Sequence, residues 1–319
     1  MKQPQTRRSF IRTTTSVALG LGLAGPRAWA HSCCGSESMP FKISLAQWSI
    51  HRAHRGGKID PVDFPRLAKE TFDISAVEYV NQFYRERGTD EAFFNELEKR
   101  ASDQGVKSLL IMVDGEGSLG EPEEAARKGV VENHYKWVDA AAILGCHSIR
   151  VNAGGPGDRE TLAPAVVDGL GRLSEYAGKA GLNVIVENHG GYSSDGAWLA
   201  NVIAQVGMDN CGTLPDFGNF CIKRGKDADG KRICLEEYDR YKGVAELMPY
   251  AKAVSAKSHD FDEDGNEIHT DFFRMMKIVL EAGYDGYVGI EYEGSRDDEF
   301  TGIRKTKALL EKVGTSYTS

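Results

Sequence analysis

Val184-Ile185-Val186-Glu187-Asn188-His189-Gly190-Gly191 is a short apolar run that ends in a carboxylate. Three later runs share its design: Thr213-Leu214-Pro215-Asp216, Val254-Ser255-Ala256-Lys257-Ser258-His259 and Val288-Gly289-Ile290-Glu291. Short apolar or β-branched runs bounded by Gly, Asn, Asp or Pro predict buried strands. A helix-like segment follows each of them. In a parallel sheet the strand ends point the same way, so Glu187, Asp216, His259 and Glu291 would converge at one mouth.

Working outward from these runs, four more segments read as strands: Ile43–Ile50, Ala76–Asn81, Ser108–Val113 and Ser148–Asn152. With Asn183–Glu187, Gly212–Asp216, Ala253–His259 and Tyr287–Tyr292 the count is eight. The segments between them carry helical period. Glu91 to Arg100 is amphipathic through Phe93, Phe94 and Leu97. Val130–Leu144, Leu162–Gly181 and Phe272–Gly283 each stop at a glycine, the usual helix terminator. Eight strands alternating with eight helices predict an α/β fold, a (β/α)8 TIM barrel in a single domain over residues 41–315. The competing open doubly wound sheet usually carries a glycine-rich phosphate loop after its first strand; here that place reads AQWSIHRAHRGG.

The N-terminus predicts export. Arg7-Arg8-Ser9-Phe10-Ile11 has the form of a twin-arginine signal, Val17 to Ala24 is apolar, and Ala28-Trp29-Ala30 fits a cleavage site. Residues 1–30 are therefore expected to be removed, leaving a flexible leader over 31–40 and a mature protein in the periplasm or beyond. The signal holds five of the chain's 39 Lys+Arg and no acidic residue; its loss leaves 34 against 47 Asp+Glu, a net charge of −13. So acidic a body argues against nucleic acid as a partner. No later run is long and apolar enough to span a bilayer.

Of the six cysteines, Cys33 and Cys34 fall in the leader, and Cys146 and Cys211 read as core thiols. Cys221 and Cys234 flank a polar loop and are able to pair in an oxidising compartment, although sequence alone does not give connectivity. The aromatic loop Gln82-Phe83-Tyr84 suits either cover over a substrate or contact with a second subunit, so a homo-oligomer stays open.

Three carboxylates and one imidazole suit Mn²⁺, the first choice, or Mg²⁺, Co²⁺ or Zn²⁺. Ser255, Lys257 and His259 alternate onto one face of their strand, so the fourth ligand is either His259, His189, which shares a face with Glu187, or absent. The other strand ends supply Gln47, His51, Glu78, Asn81, Arg150, Asn152, His189 and Glu293, expected to hold a substrate.

The motifs IVENHGG, LPDFGN, AKSHDF and GIEYEG, in this order, together with AILGCHSIRVNAGG as a fourth strand, resemble the xylose isomerase-like TIM-barrel superfamily. Its members include sugar isomerases, epimerases and metal-dependent AP endonucleases. The resemblance covers nearly all the chain after the leader. It implies that Glu187, Asp216 and Glu291 ligate metal and that Glu187 and Glu291 also exchange protons with the substrate. In many relatives the seventh strand reads His-x-Lys-Asp with the His on the metal. Aligned on Lys257, Ser255 stands in that place; aligned otherwise, His259 supplies the imidazole. The function implied is a divalent-metal-dependent sugar isomerase or epimerase working through an enediolate, with Lys257 and Arg150 holding substrate oxygens. A lyase cleaving oxidised (3-keto) glycosides by β-elimination is the alternative, and a non-catalytic sugar-binding barrel a third reading.

Overall fold

The computed structural model describes residues 39–317. The expected signal, the leader up to residue 38 and the Cys33-Cys34 pair lie outside the described residues. Eight parallel strands form the barrel: β1 Lys42–Ala46, β2 Ala76–Val80, β3 Lys107–Met112, β4 Ser148–Asn152, β5 Asn183–Glu187, β6 Cys211–Leu214, β9 Val254–Ser258 and β10 Tyr287–Tyr292. Their order is β6-β5-β4-β3-β2-β1-β10-β9. The remaining seam closes through parallel bridges between Thr213 and Ala251 and between Asp216 and Ser255. Backbone bonds Lys252 N to Thr213 O (3.0 Å), Ser255 N to Pro215 O (2.9 Å) and Phe217 N to Ser255 O (3.1 Å) cross it. With no unpaired edge left, this is a closed barrel.

A short helix α1 (His51–Arg55) sits at the rim, and eight further helices ring the barrel: α2 Phe64–Phe72, α3 Glu91–Asp103, α4 Glu124–Ile143, α5 Arg159–Lys179, α6 Gly196–Val206, α7 Arg240–Leu247, α8 Phe272–Glu281 and α9 Glu299–Thr315. Aspartate opens most of them. The side chains of Asp90, Asp158, Asp195, Asp239, Asp271 and Asp298 each accept from a first-turn backbone N–H, a contribution of about 1 kcal/mol each. Much of the acidic excess is thus cap chemistry. At the expected stops, Gly145, Gly181 and Gly283 take positive φ, which L residues avoid.

Alternation along the strands divides the apolar residues into two layers. One large cluster lies between sheet and helices, including Leu45, Val77, Ile149, Val186 and Ile290. A smaller one fills the barrel: Ala46, Val80, Leu110, Met112, Ile185, Leu214 and Ala253. Above this floor the inward positions turn polar, and there the mouth begins.

Two regions depart from expectation. β1 ends at Ala46, and Gln47–Ile50 forms a 3-10 turn. Between β6 and α7 stands an antiparallel hairpin, β7 Cys221–Lys226 with β8 Arg232–Glu237. Its strands are mostly exposed and are joined by the Cys221–Cys234 disulfide. Cys146 and Cys211 are free and buried.

Candidate active site

Glu187 is the last residue of β5, Asp216 follows β6 by two residues, and Glu291 lies one residue before the end of β10. Each offers a carboxylate oxygen within 4.8 Å of the other two, and all three are buried. The loops hold them rigidly. Asn188 clasps the backbone of Asp216 from both sides: its Nδ2 donates to Asp216 O and its Oδ1 accepts from Asp216 N. Asp216 Oδ1 accepts from the N–H groups of Gly218 and Asn219, both at 2.8 Å. Asn219 Nδ2 donates to Glu187 Oε1 at 2.8 Å.

Ser255, inward on β9, bridges two of the acids. Its Oγ is 2.7 Å from Asp216 Oδ2 and 3.0 Å from Glu291 Oε2. One hydroxyl proton cannot serve both at once. Lys257 Nζ lies 3.0 Å from Glu291 Oε1 and 3.1 Å from Glu293 Oε2. Arg150, inward on β4, donates through Nη1 to Asp114 Oδ1 at 2.8 Å. Its Nε is 2.7 Å from Glu187 Oε2 but off the N–H axis, so the contact is ionic and that oxygen receives no hydrogen bond.

Burial dominates the electrostatics. It pushes the Glu187 carboxyl up to about 7 against the opposing pull of Arg150, and raises Asp216 to about 7 despite Lys257. The same burial opposes ionisation of Asp114 and Glu293, but there the cations win. Arg150 holds Asp114 well below the usual range; Lys257, with the Trp48 indole N–H on the carboxylate, brings Glu293 down to about 2. Burial likewise opposes charging Lys257, yet the surrounding carboxylates hold its ammonium well above the ordinary value.

Six acids (Glu78, Asp114, Glu187, Asp216, Glu291 and Glu293) and two strong bases (Arg150 and Lys257) therefore share this mouth. A divalent cation held by Glu187, Asp216 and Glu291 would offset the excess; Glu187 Oε2 has the Arg150 guanidinium at 2.7 Å but receives no hydrogen bond. The residues fit such an ion. The donors that converge are all oxygen, the set that suits Mg²⁺ or Mn²⁺ better than sites rich in nitrogen or sulfur.

Other expected residues fall into three groups. Gln47 and Asn81 are fully buried and committed to the scaffold. Gln47 Oε1 accepts from Val80 N, and its Nε2 donates to Tyr84 OH at 2.7 Å. Asn81 bonds the backbone of Asp114 in both directions. Tyr84, expected in a cover loop, is buried beneath them. Glu78 sits in the floor: Ser44 Oγ donates to its Oε1 at 2.7 Å, while Oε2 has no partner. At the rim are His51, Asn152, His189 and Glu293. The His51 ring stacks on Trp48 at 4.7 Å, and Asn152 Nδ2 donates to Asp114 Oδ1. His189 is solvent-exposed along one side, yet the crowding of the mouth and then the charges of Arg150 and Lys257 lower its basicity.

His259 is not among the convergent ligands. It lies one residue beyond β9, with its ring edge-on to His269 at 5.7 Å. The β9 residue that faces the carboxylates is Ser255. Sequence reasoning did not single out Asn188 or Asn219, and treated Ser255 only as an alignment alternative. The available signal was polar residues adjoining each acid.

The profile of the xylose isomerase-like TIM barrel family matches residues 65–313, and the chain belongs to that family. Among curated proteins, the C-glycoside deglycosidase alpha subunit of Arthrobacter globiformis is 31% identical over 74 residues, 21% of each chain; the match thus spans about a fifth of that protein's length. The apo 3-keto-D-glucoside 4-epimerase YcjR from E. coli superposes with a TM-score of 0.61 at 16% identity, covering 86% of this chain and 100% of the other. The IOLI protein with a zinc atom gives 0.63 at 13%, covering 87% and 99%. Similarity at those identities speaks to the fold.

Proposed function

We propose that this protein is a divalent-metal-dependent enzyme that moves a proton on the carbon beside a sugar carbonyl, as an isomerase or epimerase. The observation that carries this reading is the convergence of Glu187, Asp216 and Glu291 in a buried mouth with Arg150 and Lys257 beside them. These three acids would hold the ion, with Mn²⁺ or Mg²⁺ favoured by the oxygen donors. When bound, the ion would polarise the carbonyl and acidify the neighbouring C–H.

The chain's own groups then do the proton work. One glutamate takes the proton from carbon; the C–H electron pair becomes the C=C bond and the carbonyl π pair moves to oxygen, giving an enediolate. The other returns a proton, on the opposite face for an epimer or at the neighbouring carbon for an isomer. Glu187 is suited to the exchange by its place at the end of β5, buried in the mouth beside Asp216 and Glu291. Lys257 and Arg150 are placed to stabilise the developing oxyanion. Glu293 and Asp114 hold those two cations in place.

A second reading keeps the proton abstraction and follows it with β-elimination of a glycosidic leaving group. The deglycosidase match favours it. The Cys221–Cys234 disulfide suits an oxidising compartment and supports export through the Arg7-Arg8 leader.

Proton NMR of the Mn²⁺-loaded protein in D₂O, offered free ketoses and 3-keto-glycosides, separates these readings. Deuterium entering beside the carbonyl of an intact sugar supports the epimerase or isomerase; release of the aglycone supports the lyase. Glu187→Gln should lower either rate by about 100- to 10,000-fold. Full activity in a folded variant would sink the proton-transfer mechanism.

A further inference from the structure

Beside the carboxylate site lies a cavity of about 680 Å³. That is within the roughly 300–1,000 Å³ common for small-molecule pockets. It is continuous in the chain with the site itself. Gly154 and Gly155 follow Asn152 by two and three residues, Gly190 and Gly191 follow Glu187 by three and four, and Ile222 follows Asn219 by three. Asn152 and Glu187 are register partners at the ends of β4 and β5, so their outgoing loops leave the barrel side by side. Tyr192 and the disulfide-joined hairpin complete the walls.

The glycines differ in a telling way. At Gly155 an added Cβ would strike Gly120 O at 2.4 Å, so packing alone accounts for glycine there. At Gly154 φ is ordinary and an added Cβ would meet nothing within 4 Å. Neither backbone strain nor packing demands glycine at 154; a side chain would simply take up space at the cavity wall.

We propose that this cavity is a subsite for an aryl aglycone, which makes the substrate a glycoside rather than a free monosaccharide. The walls support that occupant: glycine backbone, the Ile222 side chain and the Tyr192 ring, which carries the Arg159 guanidinium at 5.1 Å, give flat surfaces, and the charged lining residues are exposed. Lys223 and Glu236, opposite each other across the hairpin, supply polar groups among the lining residues. The hairpin, its two strands joined by the disulfide, forms one wall. The proposal rests on the sugar-site reading above, but its test needs no turnover.

Saturation-transfer NMR and calorimetry on the metal-loaded protein would compare phenyl and methyl β-D-glucopyranoside. The expected result is at least tenfold tighter binding of the phenyl glycoside, with saturation strongest on the ring protons. Gly154→Phe, and independently Ile222→Phe from the opposite wall, should abolish that advantage and leave the methyl glycoside unchanged; unaltered melting confirms that both fold. Equal affinity for the two glycosides, no transfer to the phenyl ring, or an advantage that survives both variants would overturn the proposal. Cellobiose displacing the phenyl glycoside at lower concentration would overturn the aryl assignment in favour of a second sugar. The parent protein separates the two claims: a phenyl advantage without deuterium exchange would overturn the proton-transfer reading alone, and exchange without the advantage would overturn the subsite alone.

Discussion

Asn81 and Glu187 both stand where a barrel strand meets the mouth, and both are fully buried, yet they are held in opposite ways. Every polar atom of the Asn81 side chain is bonded to the backbone of Asp114, so it ties two loops together and offers nothing to a ligand. Gln47 behaves similarly just past the end of the neighbouring β1. On the β5–β6–β9–β10 side three carboxylates converge instead: Glu187 Oε2 has the Arg150 guanidinium beside it but receives no hydrogen bond, and Asp216 and Glu291 compete for one serine proton. Polarity at a strand end therefore does not identify a site. Convergence of buried carboxylates does, because like charges crowded together out of water cost several kcal/mol unless cations offset them.

The strongest way to break this contrast is Arg150→Met. It would leave Glu187 and Asp114 buried without their common counter-charge, and urea denaturation should show a loss of about 3–5 kcal/mol. Asn81→Ala removes only neutral hydrogen bonds and should cost about 1–3 kcal/mol. Equal losses would mean that the two sides of the mouth are built alike.

Glu78 sharpens the comparison at the floor. Burial, helped by the charges of Glu291 and Glu187, pushes its carboxyl up to about 7 against the Ser44 hydrogen bond. The folded state thus keeps a proton that the unfolded chain loses near pH 4.5. The stability this supplies is full below that value and disappears as the pH rises through about 7. Glu78→Gln should flatten the decline, gaining on the order of 1–3 kcal/mol over the parent between pH 5 and 8. Glu187 and Asp216 titrate in the same range, so the difference between the two denaturation curves is the measurement. Parallel curves would show that Glu78 is ionised in the fold.

How much of this was legible in the sequence follows from which forces act locally. Strands such as Asn183–Glu187 and Tyr287–Tyr292 match their predicted bounds because burial on both faces writes a continuous apolar run. β1 looked longer than it is because Trp48 and Ile50 continue the apolar run, while Gln47 turns its side chain out to Tyr84, a contact 37 residues away. The hairpin at Cys221–Glu237 was hidden because its strands are mostly exposed and only Ile233 and Leu235 in β8 alternate; the two cysteines and the Asp229-Gly230 turn were its trace. The convergence of Glu187, Asp216 and Glu291 was readable from parallel strand ends alone. The parts played by Ser255, Asn219 and Asp114 were not, because each depends on which atom of a distant strand it meets.

The smallest expected effect tests the subtlest part of the site. Ser255 and His259 lie four residues apart on the same chain segment, but only Ser255 touches the carboxylates. Removing its hydroxyl in Ser255→Ala takes a donor from Asp216 and Glu291 and loosens their orientation. Losing an orienting partner typically costs a metal site about 10- to 100-fold in affinity. His259→Ala should change Mn²⁺ affinity by no more than about twofold, since its ring packs against His269 outside the acidic cluster. Calorimetric titration of both variants with Mn²⁺ reads the difference directly. If His259→Ala proves the more damaging, the segment after β9 must move when an ion enters, bringing the imidazole inward. The oxygen-only donor set would then fall.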